Sequence, residues 1–139
     1  MSFSDFLENK LLDHWLGNSA MTTSGTYYVG LSTATIVDAT TGITVVEPST
    51  SNTAYARVSV TNNLTQWPAS AGGLKRNANT IAFPTATGNW GTVTDFFIAD
   101  GANVSTGQIM GFGVLTTSKT ISSGDSASFA AQAITVTLD

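Results

Sequence analysis

The sequence predicts a mainly β fold: an antiparallel, jelly-roll-like β-sandwich of about seven or eight short strands with one N-terminal α-helix. Three observations carry that expectation. After Gly17 the apolar residues leave helical spacing and alternate with period two, as in Tyr27–Leu31 and Tyr55–Thr61. Turn-forming residues interrupt these runs repeatedly, and no helical pattern separates one from the next, so the rhythm of a parallel sheet is missing. Charged residues make up only 10 %, against roughly 25 % in ordinary domains, while Thr, Ser, Ala, Gly and Asn fill the polar positions. With 42 % hydrophobic residues this is not a disordered composition. It describes strands whose outer faces are ladders of small hydroxyls.

One domain is expected over residues 1–139, with the helix in 1–17 and the sandwich in 26–139. A chain of this size buries about two-thirds of its unfolded surface and needs no staple, which suits the lack of cysteine. Ser2 and Asp5 stand at capping-box spacing, and Asp5 and Glu8 favour the positive end of a helix dipole. Gly17 supplies a left-handed stop. Between them Phe3, Phe6, Leu7, Leu11, Leu12, Trp15 and Leu16 spread wider than the stripe of about 100° that a helix shows to one core. Such a helix has either a second partner or a broad groove in its own domain. Phe3, Phe6, Leu12, Trp15 and Leu16 are the candidate assembly residues.

The strands follow. Tyr27, Val29 and Leu31 share one face. Ile43–Glu47 is a short candidate between turn-rich flanks. In Tyr55–Thr61 the pattern places Ala56, Val58 and Val60 inward, with Tyr55, Arg57 and Ser59 outward. Thr80–Phe83 ends at Pro84, which cannot donate to a ladder. Thr92–Ala99 puts Phe96 and Ile98 in the core and Asp95 outside, where Arg57 is one candidate to pair with it. In Gln108–Leu115, Gly111 and Gly113 leave room for an aromatic neighbour. A Gly124-Asp125 turn leads to Ser126–Phe129, and Ala133–Leu138 closes the alternation. Long loops fill 33–53 and 62–79, and the second holds Trp67, a candidate to contact a sugar ring or a partner.

Little here suggests chemistry. His14 is the single histidine and sits in the last helical turn, where an imidazole suits the carbonyl end of the dipole. No zinc spacing and no dense acidic pattern for calcium occur, so neither a metal nor a cofactor is expected. Asp95 has no obvious partner for acid–base work. Two glycosylation sequons, Asn63-Leu-Thr65 and Asn103-Val-Ser105, are what chance gives in a chain this rich in Asn, Ser and Thr. A net charge of −4 with five basic residues argues against nucleic acid. The acidic N-terminus does not resemble a signal peptide, and no run approaches the ~20 apolar residues of a membrane span.

The motifs SDFLENKLLDHWLG, YYVGLSTA, YARVSV, IAFPTATGNWGTVTDFFIAD and LTTSKTISSGDSASFAAQAITVTLD cover most of the chain. Together they resemble the small tail-fibre proteins of tailed bacteriophages, some of which decorate the capsid as knobs or cement. The resemblance implies a shared fold and membership of the virion, with assembly in the host cytoplasm and display on the particle exterior. It brings no catalytic residues. The partners it implies are further copies of the chain, as a homotrimer, and major capsid or tail proteins. The alternative is a lectin-like receptor-binding module that contacts host glycan through Trp67. Heptads, collagen triplets and β-repeats, the sequence marks of a fibre shaft, are absent. The chain therefore suits a capsid knob or a short fibre module.

Overall fold

The alternating runs build one five-stranded antiparallel sheet, as seen in a computed structural model that describes residues 1–138. Its strands are β1 (Ser2–Phe3), β2 (Thr26–Ser32), β3 (Val58–Thr61), β6 (Gly91–Ala99) and β7 (Ile109–Ile121), in the order β1-β7-β6-β2-β3. The helix α1 (Asp5–Leu16) follows β1 directly. Two short ladders complete the fold: β4 (Leu74–Arg76) with β9 (Thr135–Thr137), and β5 (Ile81–Ala82) with β8 (Ser128–Phe129). The mainly β, antiparallel, one-helix expectation holds. The layer opposite the main sheet is these two separate ladders and the segments around them.

Side chains on one face of the sheet form the larger core. Val29 and Leu31 of β2, Val60 of β3 and Val93 and Ile98 of β6 pack with Ile81, Phe83, Trp90 and Ile134. Aromatic rings dominate the contact: Tyr55 meets Trp90 edge-on at 5.2 Å, and Phe96 meets Phe129 at 5.0 Å between centroids. Such pairs add about 0.5–1.5 kcal/mol beyond the area they bury. Gly113 gives the Phe96 ring its place, since a Cβ there would lie 2.8 Å from it, whereas Gly111 makes room for the β1 backbone.

The other face departs from expectation. It was expected to face outward, yet Phe97, Ala99, Ile109 and Phe112 are buried there beneath Ile36 and Val45. The long 33–53 loop has folded across the sheet. Asp95, on this face, is buried, and its carboxylate accepts the Ile36 N–H at 3.2 Å rather than pairing with Arg57. Tyr55 and Arg57 are likewise buried and Ala56 is exposed, the reverse of the alternation, because the chain joins the sheet only at Val58. Ile43–Glu47 is not a strand: Ile43 and Thr44 lie in a turn and Val45 in a bend.

Smaller corrections concern ends. Ser4, not Ser2, caps α1: its hydroxyl accepts the Leu7 N–H and donates to the Ile109 carbonyl, tying the cap to β7. Ser2 is spent in β1, which also takes Phe3 out of the helix. Gly17 is not left-handed; Asn18 is, at φ 51°, and the Ser19 N–H reaches back to the Asp13 carbonyl. His14 Nδ1 lies 2.9 Å from the Ser19 carbonyl and closes the same turn. Trp67, the candidate in loop 62–79 for contact with a sugar ring or a partner, is 6 % exposed and belongs to the larger core. Its indole is not a stacking platform.

Candidate assembly surface

Two features of the molecule are chemically distinctive: a buried polar clamp and an exposed apolar helix. The clamp is Arg57. Its guanidinium pairs with Glu47, with Nη2 to Oε1 at 2.6 Å and Nε 3.1 Å from both carboxylate oxygens, and both side chains are fully buried. The remaining N–H groups donate to main-chain carbonyls: Gly101 at 2.8 Å, Thr106 at 2.9 Å and Gly42 at 3.1 Å. The guanidinium carbon stands 5.0 Å from the Phe97 ring centre. Every face of the cation is thus occupied, and loops 33–53 and 100–108 are drawn onto the same group.

Tyr55 completes the cluster. Its hydroxyl accepts the Leu31 N–H at 2.9 Å and donates to Glu47 Oε2 at 2.8 Å. Burial, reinforced by the Glu47 charge, pushes the phenol far above its usual range. The unfolded phenol ionises near pH 10 while the folded one does not. The stabilisation is therefore complete below about pH 10 and is lost above it, at about 1.4 kcal/mol per pH unit for one proton. Urea unfolding between about pH 9 and 11 is expected to show that fall. Tyr55→Phe should remove Tyr55's part of it, and lower the neutral-pH baseline by about 1–2 kcal/mol for the orphaned Leu31 N–H. An unchanged slope in Tyr55→Phe would contradict the assignment.

The polar groups of the clamp are spent on one another and on main-chain carbonyls, so the cluster organises loops. Among the described residues no group of three or more His, Asp or Glu converges as metal ligands would.

Helix α1 is the opposite case. None of its residues is buried, and only Leu7 and Leu11 are half-buried against the sheet. Trp15 is 79 % and Leu16 75 % exposed, with Leu12 one turn before them on the same side. Asp5 and Glu8 share this face by helical spacing, so it is acidic at its first turn, apolar at its last, and free of cations. The intradomain groove that would have covered a wide stripe is not there. Of the candidate assembly residues, Leu12, Trp15 and Leu16 come together. Phe6 lies across the helix under the Lys10 ammonium, 5.9 Å from its ring centre, and Phe3 is half-buried in β1.

Beside the helix lies a feature the sequence reading missed. A groove of about 340 Å³ runs between β1, the β4–β9 ladder and Trp67. All three methionines of the chain, Met1, Met21 and Met110, line it, with Tyr27 and Leu7; Lys75 is the single charged residue of its wall. Nothing local marks these methionines. They are 20 and 89 positions apart, and only the fold collects them.

No helix among the described residues is long and apolar enough to cross a membrane. A family model described as Podophage GP4 fiber I protein gp80 matches residues 2–137. No curated protein matches the chain.

Proposed function

The chain belongs to the podophage GP4 fiber I protein gp80 family, a phage fibre structural protein, and on that premise we propose that it is a short, non-enzymatic fibre module displayed on the particle exterior. It self-associates through α1 as a homotrimer and attaches to a tail or capsid protein. The fibre description favours this over a capsid-cementing knob. The observation that carries the reading is the naked apolar end of α1. Isolated helices of this length are marginal in water, and exposing Leu12, Trp15 and Leu16 together at a helix end is a mark of a surface that another chain covers. The lectin-like alternative depended on an exposed Trp67, and with the indole in the core it has no stacking residue to rest on.

The test is Trp15→Ser with Leu16→Ser. Because neither side chain packs on its own domain, the unfolding free energy should stay within about 0.5 kcal/mol of the parent's when both are measured at concentrations too low for association. At assembling concentrations sedimentation should show monomers, and reconstructed particles should lack the module. A variant that still self-associates and still decorates particles would refute the assignment.

A further inference from the structure

We propose that the methionine-lined groove is the receptor for Trp15 of a second copy of this chain, so that assembly runs head to tail. This deepens the self-association reading and rests on it. Knob and hole are separate on one molecule. Leu7 lines the groove, whereas Trp15 stands eight residues further along α1, about 12 Å at 1.5 Å per residue. With Trp15 79 % exposed, the knob of a chain does not fill its own groove.

The two surfaces match in kind. Methionine is unbranched and polarisable, adapts its shape to an inserted group and makes favourable sulfur–aromatic contacts. A wall holding every methionine of the chain, plus Tyr27, suits an indole. They also match in charge. The face of α1 that carries Trp15 has Asp5 and Glu8 and no cation, and ends in the negative pole of the helix. The groove wall carries Lys75, which has no ion partner among the described residues. Docking α1 of one copy into the groove of the next places acid against base and covers both apolar surfaces. Unlike patches meeting in this way form a heterologous contact, which closes as a ring where the rotation allows. A trimer is such a ring.

The experiment uses two variants of the full chain. Trp15→Ala removes the knob and keeps the groove. Ser70→Trp, at an exposed position of the groove wall, fills the groove and keeps the knob. Each alone should sediment as a folded monomer whose thermal transition does not depend on protein concentration. Mixed at equal concentration, they should form a one-to-one dimer and nothing larger, because one partner has no knob and the other no hole. With the Trp15→Ala chain labelled at its methionine methyls, the Met21 and Met110 resonances should shift on mixing under the ring current of the incoming indole. Glu8→Lys and Lys75→Glu should each weaken wild-type assembly by about tenfold, and the double exchange should restore it. If Ser70→Trp assembles as the parent does while Trp15→Ala does not, the groove is not the receptor although α1 still mediates assembly. If both variants assemble normally, the inference and the reading beneath it fail together. Monomers that ignore each other on mixing also overturn the head-to-tail arrangement.

Discussion

Arg57→Met should cost about 3–5 kcal/mol of unfolding free energy, because it leaves the Glu47 carboxylate buried without its cation. For a domain of this size that corresponds to a fall of roughly 10 °C or more in Tm. Three main-chain carbonyls, of Gly42, Gly101 and Thr106, lose their donor in the same step. Removing the carboxylate as well, in Arg57→Met with Glu47→Met, should recover part of the loss, since two apolar groups carry no desolvation penalty. Recovery should be incomplete because the carbonyls stay unpaired. Urea titrations of the parent, both single variants and the double variant measure the coupling. A single Arg57→Met variant within about 1 kcal/mol of the parent would show that the pair contributes no more than an exposed one.

The second large effect is expected at Phe97, which is fully buried between Gly30 of β2 and the Arg57 guanidinium. Phe97→Ala should cost about 3–5 kcal/mol, combining lost transfer energy with the cavity left behind. Its ring also explains the glycine opposite: a Cβ on Gly30 would stand 2.2 Å from the Phe97 ring. Gly30→Ala alone should therefore destabilise by about 1–3 kcal/mol through overpacking. In the Phe97→Ala background the same change should be neutral or better, because the obstacle is gone. Strict additivity of the two penalties would contradict this account of the packing.

How far the sequence told this in advance depends on what each element needed. Period two was enough to find β2 and β6 and the faces of β2, since alternation reports which residues share a side. In β6 a register shift between Val93 and Asp95 moves Val93 from the expected side of Asp95 and Phe97 into the core with Phe96 and Ile98. Nor does alternation report which sides are covered. Asp95, Tyr55 and Arg57 were placed outward because a half-buried sheet is the ordinary reading of an alternating strand. The covering layer here is a Thr-rich loop with no period of its own, contributing Ile36 and Val45. Glu47 gave no sign of being the Arg57 partner, ten residues away across a turn. Strands of two or three residues, β1 and β4, are too short to alternate. The body of the helix and its excess of apolar surface were legible, but its caps were not: Ser4 and Asn18 take the places expected of Ser2 and Gly17. The groove beside it was not, because its methionines come from three distant segments.

The Arg57 clamp grips loop 100–108 by carbonyl oxygens alone, at Gly101 and Thr106. Every amino acid supplies that atom. On the crest between, Ala102 and Asn103 are exposed and can therefore change their side chains without loosening the grip, while Val104 packs on the core. Identity at the tip is decoupled from architecture at the base, so the outward vocabulary of such a module can drift, or be rewritten by hand, while its frame stands still.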